Sequence, residues 1–302
     1  MSHRPGRGTP RIPATGASEE GTADDGERSA RRDDRVLPAT RVVAAVVIAI
    51  LVTAFIALYL HPDETEHRFA WTIHPTMTPL LMGAGYGSAV YFYGRVLIGR
   101  RWHRVGLGFV PTAVFTWLLA IATILHWGKF HHGTLAFGLW AWIYFVTPFL
   151  VPAVWLWNRR HDPRTPQPGD ALLPGAVRLA LLATGALLLA IAAWMFLFPN
   201  AVTPHWPWML TPLTARTVAG FIVLPGVSWL MMASDPRWSA GRIAVETVAI
   251  GLVLLLIAVA RAWSDFDHAN PLTWAYVGGL GATLLALVGL YVAMERRKAA
   301  AR

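Results

Sequence analysis

Hydrophobic positions fall into eight long runs, at 42–60, 79–98, 106–126, 135–157, 174–197, 213–233, 243–262 and 272–294, separated by short polar segments. About 20 consecutive apolar residues cross the hydrocarbon core of a bilayer as a helix. The runs are close to that length, so the pattern predicts an all-α membrane protein with eight transmembrane helices. The first run follows 41 mostly polar residues and ends at Tyr59, Leu60, His61 and Pro62 without a small-x-small cleavage site. It reads as a retained helix and not as a signal peptide.

Composition agrees with this class. Only 14% of the residues are charged, against roughly 25% in soluble domains, so water is the wrong solvent for most of the chain. With no cysteine, disulfides, thiolate catalysis and cysteine-ligated metals are excluded. The net charge of +9 points first to nucleic acid, but its placement points elsewhere. With the amino terminus inside, 22 of the 26 Lys and Arg residues fall on the inner side, leaving Arg68, Lys129, Arg216 and Arg261 outside. The positive-inside rule reads this as a cell-membrane protein with both termini cytoplasmic. The basicity is an orientation signal with a secondary attraction for inner-leaflet lipid, and nucleic acid is not expected as a partner.

Residues 1–38 lack apolar periodicity and predict a disordered tail. Two further segments complete the expected organisation: a linker at 158–173 with Pro163, Pro166, Pro168 and Gly169, and a basic tail at 296–302. Between them lie membrane units at 39–157 and 174–295, and these look like copies. Trp71, Pro75 and Gly83 recur as Trp208, Pro212 and Gly220, all at one constant offset. A W-x-x-F-x-H motif at Trp127, Phe130 and His132 recurs at Trp263, Phe266 and His268, an offset that differs from the first by a single position. The spacing predicts a 4+4 tandem repeat; because four is even, the halves share one orientation and are related by an axis along the membrane normal.

The segment HWPWMLTPLTAR at 205–216 joins the fifth and sixth runs. Thr211-Pro212 suits an N-cap followed by the first helical position, as do Thr78-Pro79 and Asn270-Pro271. Trp206 and Trp208 suit an interfacial belt. Arg216 is less easily placed, because a helix start disfavours a cation and lipid disfavours it further. Its simplest partner is Asp265 or Asp267; the functional reading joins Arg216 and Thr214 into a small anion site at the helix start. Arg261 is expected near Asp265, and Glu246 near Arg242 or a neighbouring helix.

Eight of the eleven histidines lie on the outer side. His126, His131, His132 and His268 with Asp265 and Asp267 are a conceivable zinc or copper donor set. No H-E-x-x-H spacing accompanies them, so interfacial or hydrogen-bonded histidines are the simpler expectation and no cofactor is required. The run GAGYGSAV at 83–90 imitates a dinucleotide fingerprint but lies inside an apolar span; Gly83 and Gly87 form a small-xxx-small packing step instead. No Asp, Glu, Lys or Arg sits at the centre of any span.

LTPLTAR before the sixth run, LHWGKFHHG, and the following VTPFLVPAVW resemble multi-pass membrane proteins of high-GC bacteria to which no activity is attached. The resemblance covers the chain from about residue 40 and implies membrane residence only. The leading functional expectation is a non-enzymatic protein that binds or moves a small anionic or lipidic molecule at an outward-facing polar pocket carrying Arg216, Thr214, Arg261, His132 and His268. An assembly subunit packing on another membrane protein or on its own copies, dependent on Gly83 and Gly87, is the second. A metalloprotein or membrane enzyme using the outer histidines is the third.

Overall fold

The computed structural model describes residues 33–300. Among these the chain is helical, with no strand beyond three isolated bridges. Seven helices are long and apolar enough to cross a membrane: α1 (Pro38–Leu60), α3 (Gly106–Leu125), α4 (Leu135–His161), α5 (Gly175–Leu197), α6 (Pro212–Ser234), α7 (Trp238–Arg261) and α8 (Pro271–Ala300). The eighth expected span is the 22-residue helix α2 (Met77–Ile98), which has the length but falls short in apolarity. The reason lies in its position. Thirteen of its residues are buried, so it meets protein where α8, with three, presents itself outward. A helix clad in other helices can carry Gly83, Gly85, Gly87, Tyr86 and Ser88, since its neighbours are protein.

Close approach is what those glycines supply. A Cβ on Gly83 would stand 2.6 Å from the Tyr59 Cβ and 2.9 Å from its main-chain nitrogen, and one on Gly87 would meet the Phe55 ring at 2.8 Å. The small-xxx-small step is thus filled by α1 of the same chain.

Neighbours follow a regular scheme. Helix α2 packs on α1 and α7; α6 packs on α5 and α3; α4 lies on α3, and α8 on α7. Exchanging each helix with the one four places along maps this set onto itself. Boundaries recur in the same way. Both ends of α5 follow those of α1 by the interval that separates Trp71 from Trp208, and short turns at Pro62–Glu64 and Thr65–Arg68 are matched after α5 by turns at Pro199–Val202 and Thr203–His205. The single turn Trp127–Lys129 reappears as Trp263–Asp265.

Contacts recur with the boundaries. Buried Trp71 stands edge-on to Phe130 at 5.2 Å and Trp140 at 4.8 Å; buried Trp208 does the same with Phe266 at 5.3 Å and Tyr276 at 5.3 Å. His131 N donates to the Ala70 carbonyl at 2.9 Å, and Asp267 N to the Pro207 carbonyl at 2.8 Å. At the other end of the bundle, the bridge Arg35–Arg101 is matched by Leu172–Arg237, and fully buried Trp102 by Trp238.

Segment limits differ from the polarity pattern. The expected disordered tail lies outside the described residues up to 32, but Asp34, Val36 and Leu37 are buried. Trp102 N donates to the Asp34 carbonyl at 2.8 Å and Leu37 N to Asn158 Oδ1 at 3.1 Å, so distant partners order a stretch that has no periodicity of its own. The linker's end is likewise docked, with Ala171 and Leu173 buried and Leu173 N bonded to the Pro236 carbonyl at 2.8 Å. Helix α8 runs on to Ala300 through the expected basic tail.

Caps fall on two of the three anticipated threonine or asparagine positions. The Thr211 side chain accepts from Thr214 N in a capping box, and Asn270 Oδ1 accepts from Leu272 N at 2.9 Å. Thr78 does not cap. Helix α2 begins earlier because Asp265 reaches across from the turn after α7 and accepts from Met77 N at 2.8 Å and Thr76 Oγ1 at 2.7 Å. Thr78, buried inside the helix, accepts instead from Trp208 Nε1 at 2.9 Å.

Candidate anion site around Arg216

Two arginines sit at the end of the bundle that carries the W-x-x-F-x-H turns, and each closes a helix terminus. The last carbonyls of a helix have no partner within it. Arg261 Nη1 donates to the Tyr59 carbonyl at 2.6 Å at the end of α1. Arg216 Nε donates to the Phe196 carbonyl at 3.0 Å at the end of α5. Phe196 follows Tyr59 by the same interval as Trp208 follows Trp71, and the two termini are closed by cations arriving from different helices, α6 and α7.

Neither arginine makes the expected ion pair. Asp265 is held at the start of α2, and Asp267 Oδ1 accepts from Ala269 N, so both carboxylates serve backbone and hydroxyl donors. Arg216 Nη1 turns instead to His126 Nε2 at 2.7 Å. Arginine has only donors, so Nε2 must be the acceptor and His126 is the neutral Nδ1–H tautomer in this arrangement. Burial, then the charges of Arg216 and Lys129, hold the His126 pKa below the ordinary imidazole value.

Arg216 and His126 line an open cleft of about 500 Å³, with Phe198, Pro199 and Asn200 on the facing wall. The local sequence explains its electrostatics. The segment joining α5 to α6 (198–211) contains no Asp or Glu, whereas the segment joining α1 to α2 carries Asp63, Glu64 and Glu66. In that acidic segment Glu64 is itself paired with Arg68 and His61. Among the described residues no carboxylate lies within ion-pair distance of half-buried Arg216, and the cleft is left with an uncompensated guanidinium beside a neutral imidazole.

The other candidate residues are dispersed. Thr214 is buried, its hydroxyl committed to the capping box with Thr211. His132 and His268 each donate from Nε2 to the carbonyl of the tryptophan opening their own turn, at 2.9 Å to Trp127 and 3.2 Å to Trp263. His131 bonds Thr72 Oγ1 at 3.1 Å. No three His, Asp or Glu side chains among the described residues converge as a metal-ligand set, so His126, His131, His132, His268, Asp265 and Asp267 do not assemble into one centre. Glu246 meets both of its anticipated kinds of partner, Arg242 at 2.9 Å on α7 and Arg95 at 2.9 Å on α2.

Hydropathy passes over His126, because a lone histidine at a helix end has no marked spacing. Its signal is the contrast between the two corresponding connecting segments, one acidic and one without acid.

Compared with known proteins, the chain matches no family model, no curated protein and no solved structure.

Proposed function

We propose that this is an eight-span cell-membrane protein of two four-helix repeats, with both termini cytoplasmic, that binds or moves a small anionic or lipidic molecule at the Arg216–His126 cleft. The shared offsets of helices, turns and buried tryptophans support the duplication, and the concentration of Lys and Arg on one side supports the orientation. Helix α2 is taken as the eighth span because its buried position removes the need for an apolar surface.

One observation carries the functional part: a half-buried guanidinium faces an open cleft with no carboxylate to balance it among the described residues. Charges in such places are ordinarily paired. An oxyanion or anionic headgroup entering the cleft would accept from the guanidinium NH groups not used by Phe196, and its charge would favour protonation of His126. The test is thermal stabilisation of the detergent-solubilised protein over a panel of anions and anionic lipids. Wild type is expected to be stabilised by at least one member, and Arg216→Gln to lose that shift. No shift with any member for wild type sinks the reading.

A pH dependence follows from the same pair. Because folding lowers the His126 pKa, the unfolded chain binds more protons in the window just below 6.5. Stability of the ligand-free protein is therefore expected to fall as pH drops through that window. Anion affinity should change in the opposite sense, rising as His126 takes up a proton. In Arg216→Gln the stability loss should be smaller, since one of the like charges is gone. Parallel melting curves across that pH range check both signs.

A further inference from the structure

A second cavity, of about 470 Å³, lies at the opposite end of the α3–α6 seam, where the first half's α3 and α4 meet the turn between α6 and α7. Its wall includes His103, Trp155, Arg159, Arg164, Asp235 and Arg237. Arg237 is satisfied: it donates to Asp162 at 3.0 and 3.2 Å and to Asp235 at 2.6 Å. Arg159 is not. Its guanidinium stacks over Trp155 at 4.4 Å, and neither it nor Arg164 has a carboxylate within ion-pair distance among the described residues.

His103 is the independent observation. The residue is 3% exposed, its main-chain N donates to Asp34 Oδ1 at 2.9 Å, and its Nδ1 bonds Asp34 Oδ2 at 2.5 Å. That leaves Nε2 as the one remaining polar atom of a ring in the cavity wall, and it is buried with no partner. Such an atom is costly unless something bonds to it.

The other half shows what the scaffold alone requires. Ser239, which follows Trp238 as His103 follows Trp102, holds Asp170 in the same way, its N donating to Oδ1 at 3.2 Å and its hydroxyl to Oδ2. A hydroxyl meets the structural need. The imidazole adds a second nitrogen directed away from the aspartate.

We propose that this cavity is a binding site for a phosphate monoester or orthophosphate, held by Arg159 and Arg164 and read by His103 Nε2. The chemistry selects that group among oxyanions. Guanidinium pairs favour phosphate oxygens. A monoester near neutral pH presents both O⁻ and OH, so it can accept from an imidazolium Nε2–H or donate to a neutral Nε2. Sulfate and phosphodiesters have no OH to give. The source is either free phosphate or a monoester lipid headgroup such as phosphatidic acid, and the site stands independently of the Arg216 cleft.

The test is run in the Arg216→Gln background, so that the other cleft contributes nothing. Sodium phosphate and sodium sulfate are titrated against the thermal midpoint of the full chain, and nanodiscs containing phosphatidic acid are compared with nanodiscs containing phosphatidylglycerol. Phosphate or phosphatidic acid is expected to stabilise more than its partner probe. Arg159→Gln with Arg164→Gln should weaken binding about tenfold or more, as loss of charged hydrogen bonds implies. His103→Ser, which installs the residue that the second half already uses and so preserves the fold, should abolish the preference for phosphate over sulfate. A shift with sodium phosphate assigns the free anion; a shift confined to phosphatidic acid assigns the lipid. Absence of a shift from either, equal response to phosphate and sulfate, or full phosphate affinity in His103→Ser and the double arginine variant overturns the proposal.

Discussion

Gly83→Ala is expected to destabilise the folded protein by about 1–3 kcal/mol, the range for adding a methyl group to a packed interface. Alanine is ordinarily the better helix former, by about 1 kcal/mol over glycine, so the sign of this change is diagnostic. The difference lies in what the new Cβ meets. At Gly83 it meets the Cβ, nitrogen and Cα of Tyr59 at 2.6, 2.9 and 3.0 Å, and main-chain atoms of a helix cannot rotate away. The α1–α2 contact must separate instead. Tyr59 moves with it, and its carbonyl is the acceptor for Arg261 while its hydroxyl donates to the Leu254 carbonyl at 2.7 Å. Gly94, in the same helix with nothing within 4 Å of its Cβ position, is the control. Gly94→Ala is expected to be neutral or mildly stabilising in the same melting experiment. Equal midpoints for the two variants would mean that α1 and α2 do not approach as closely as described.

How much of this is legible in the chain depends on where each partner lies. Helix positions follow from apolar run length, because lipid imposes one length on every span. Helix α2 is the instructive departure. Its glycines, tyrosines and serine lower its apolarity for the same reason that it is central, and hydropathy alone cannot tell a weakly apolar helix from one surrounded by other helices. Local caps such as Thr211 with Thr214 are visible because both partners lie within one turn. The start of α2 is not visible in this way, because its cap, Asp265, lies 189 residues from Thr76. Arg216 escapes its expected aspartates because a backbone carbonyl and a neutral histidine, neither marked in a sequence as an anion would be, take their place. The pairing of Asp34 with His103 joins an unpatterned tail to a polar loop. Its trace is the offset itself, since Asp34 precedes Asp170 by the same interval as Trp102 precedes Trp238.

The other large effect is expected at Asp265, where one carboxylate oxygen ties the turn after α7 to the start of α2. Helix starts leave amide groups unpaired and carry partial positive charge, so an anion there gains both hydrogen bonds and the dipole interaction. Asp265 Oδ2 accepts from Met77 N and from Thr76 Oγ1, and no side chain of Thr76 caps α2 in its stead. The counterpart of Asp265 in the turn Trp127–Lys129 is Lys129, which cannot accept a hydrogen bond, and α6 relies on its own Thr211–Thr214 box. Helices α2 and α6 thus start by different means, α2 with an acceptor from the turn after α7 and α6 with one from its own first turn. Asp265→Ala is expected to cost about 1–3 kcal/mol, since it strands a part-buried amide. Asp265→Asn should cost less, because an amide oxygen still accepts but the charge is lost. A double-mutant cycle with Thr76→Ala separates the cap from general packing damage: the two changes should be clearly less than additive, because both remove the same hydrogen bond. Additive losses would show that Asp265 acts elsewhere. The corresponding cycle of Lys129→Ala with Thr211→Ala should show no coupling, since Lys129 takes no part in starting α6.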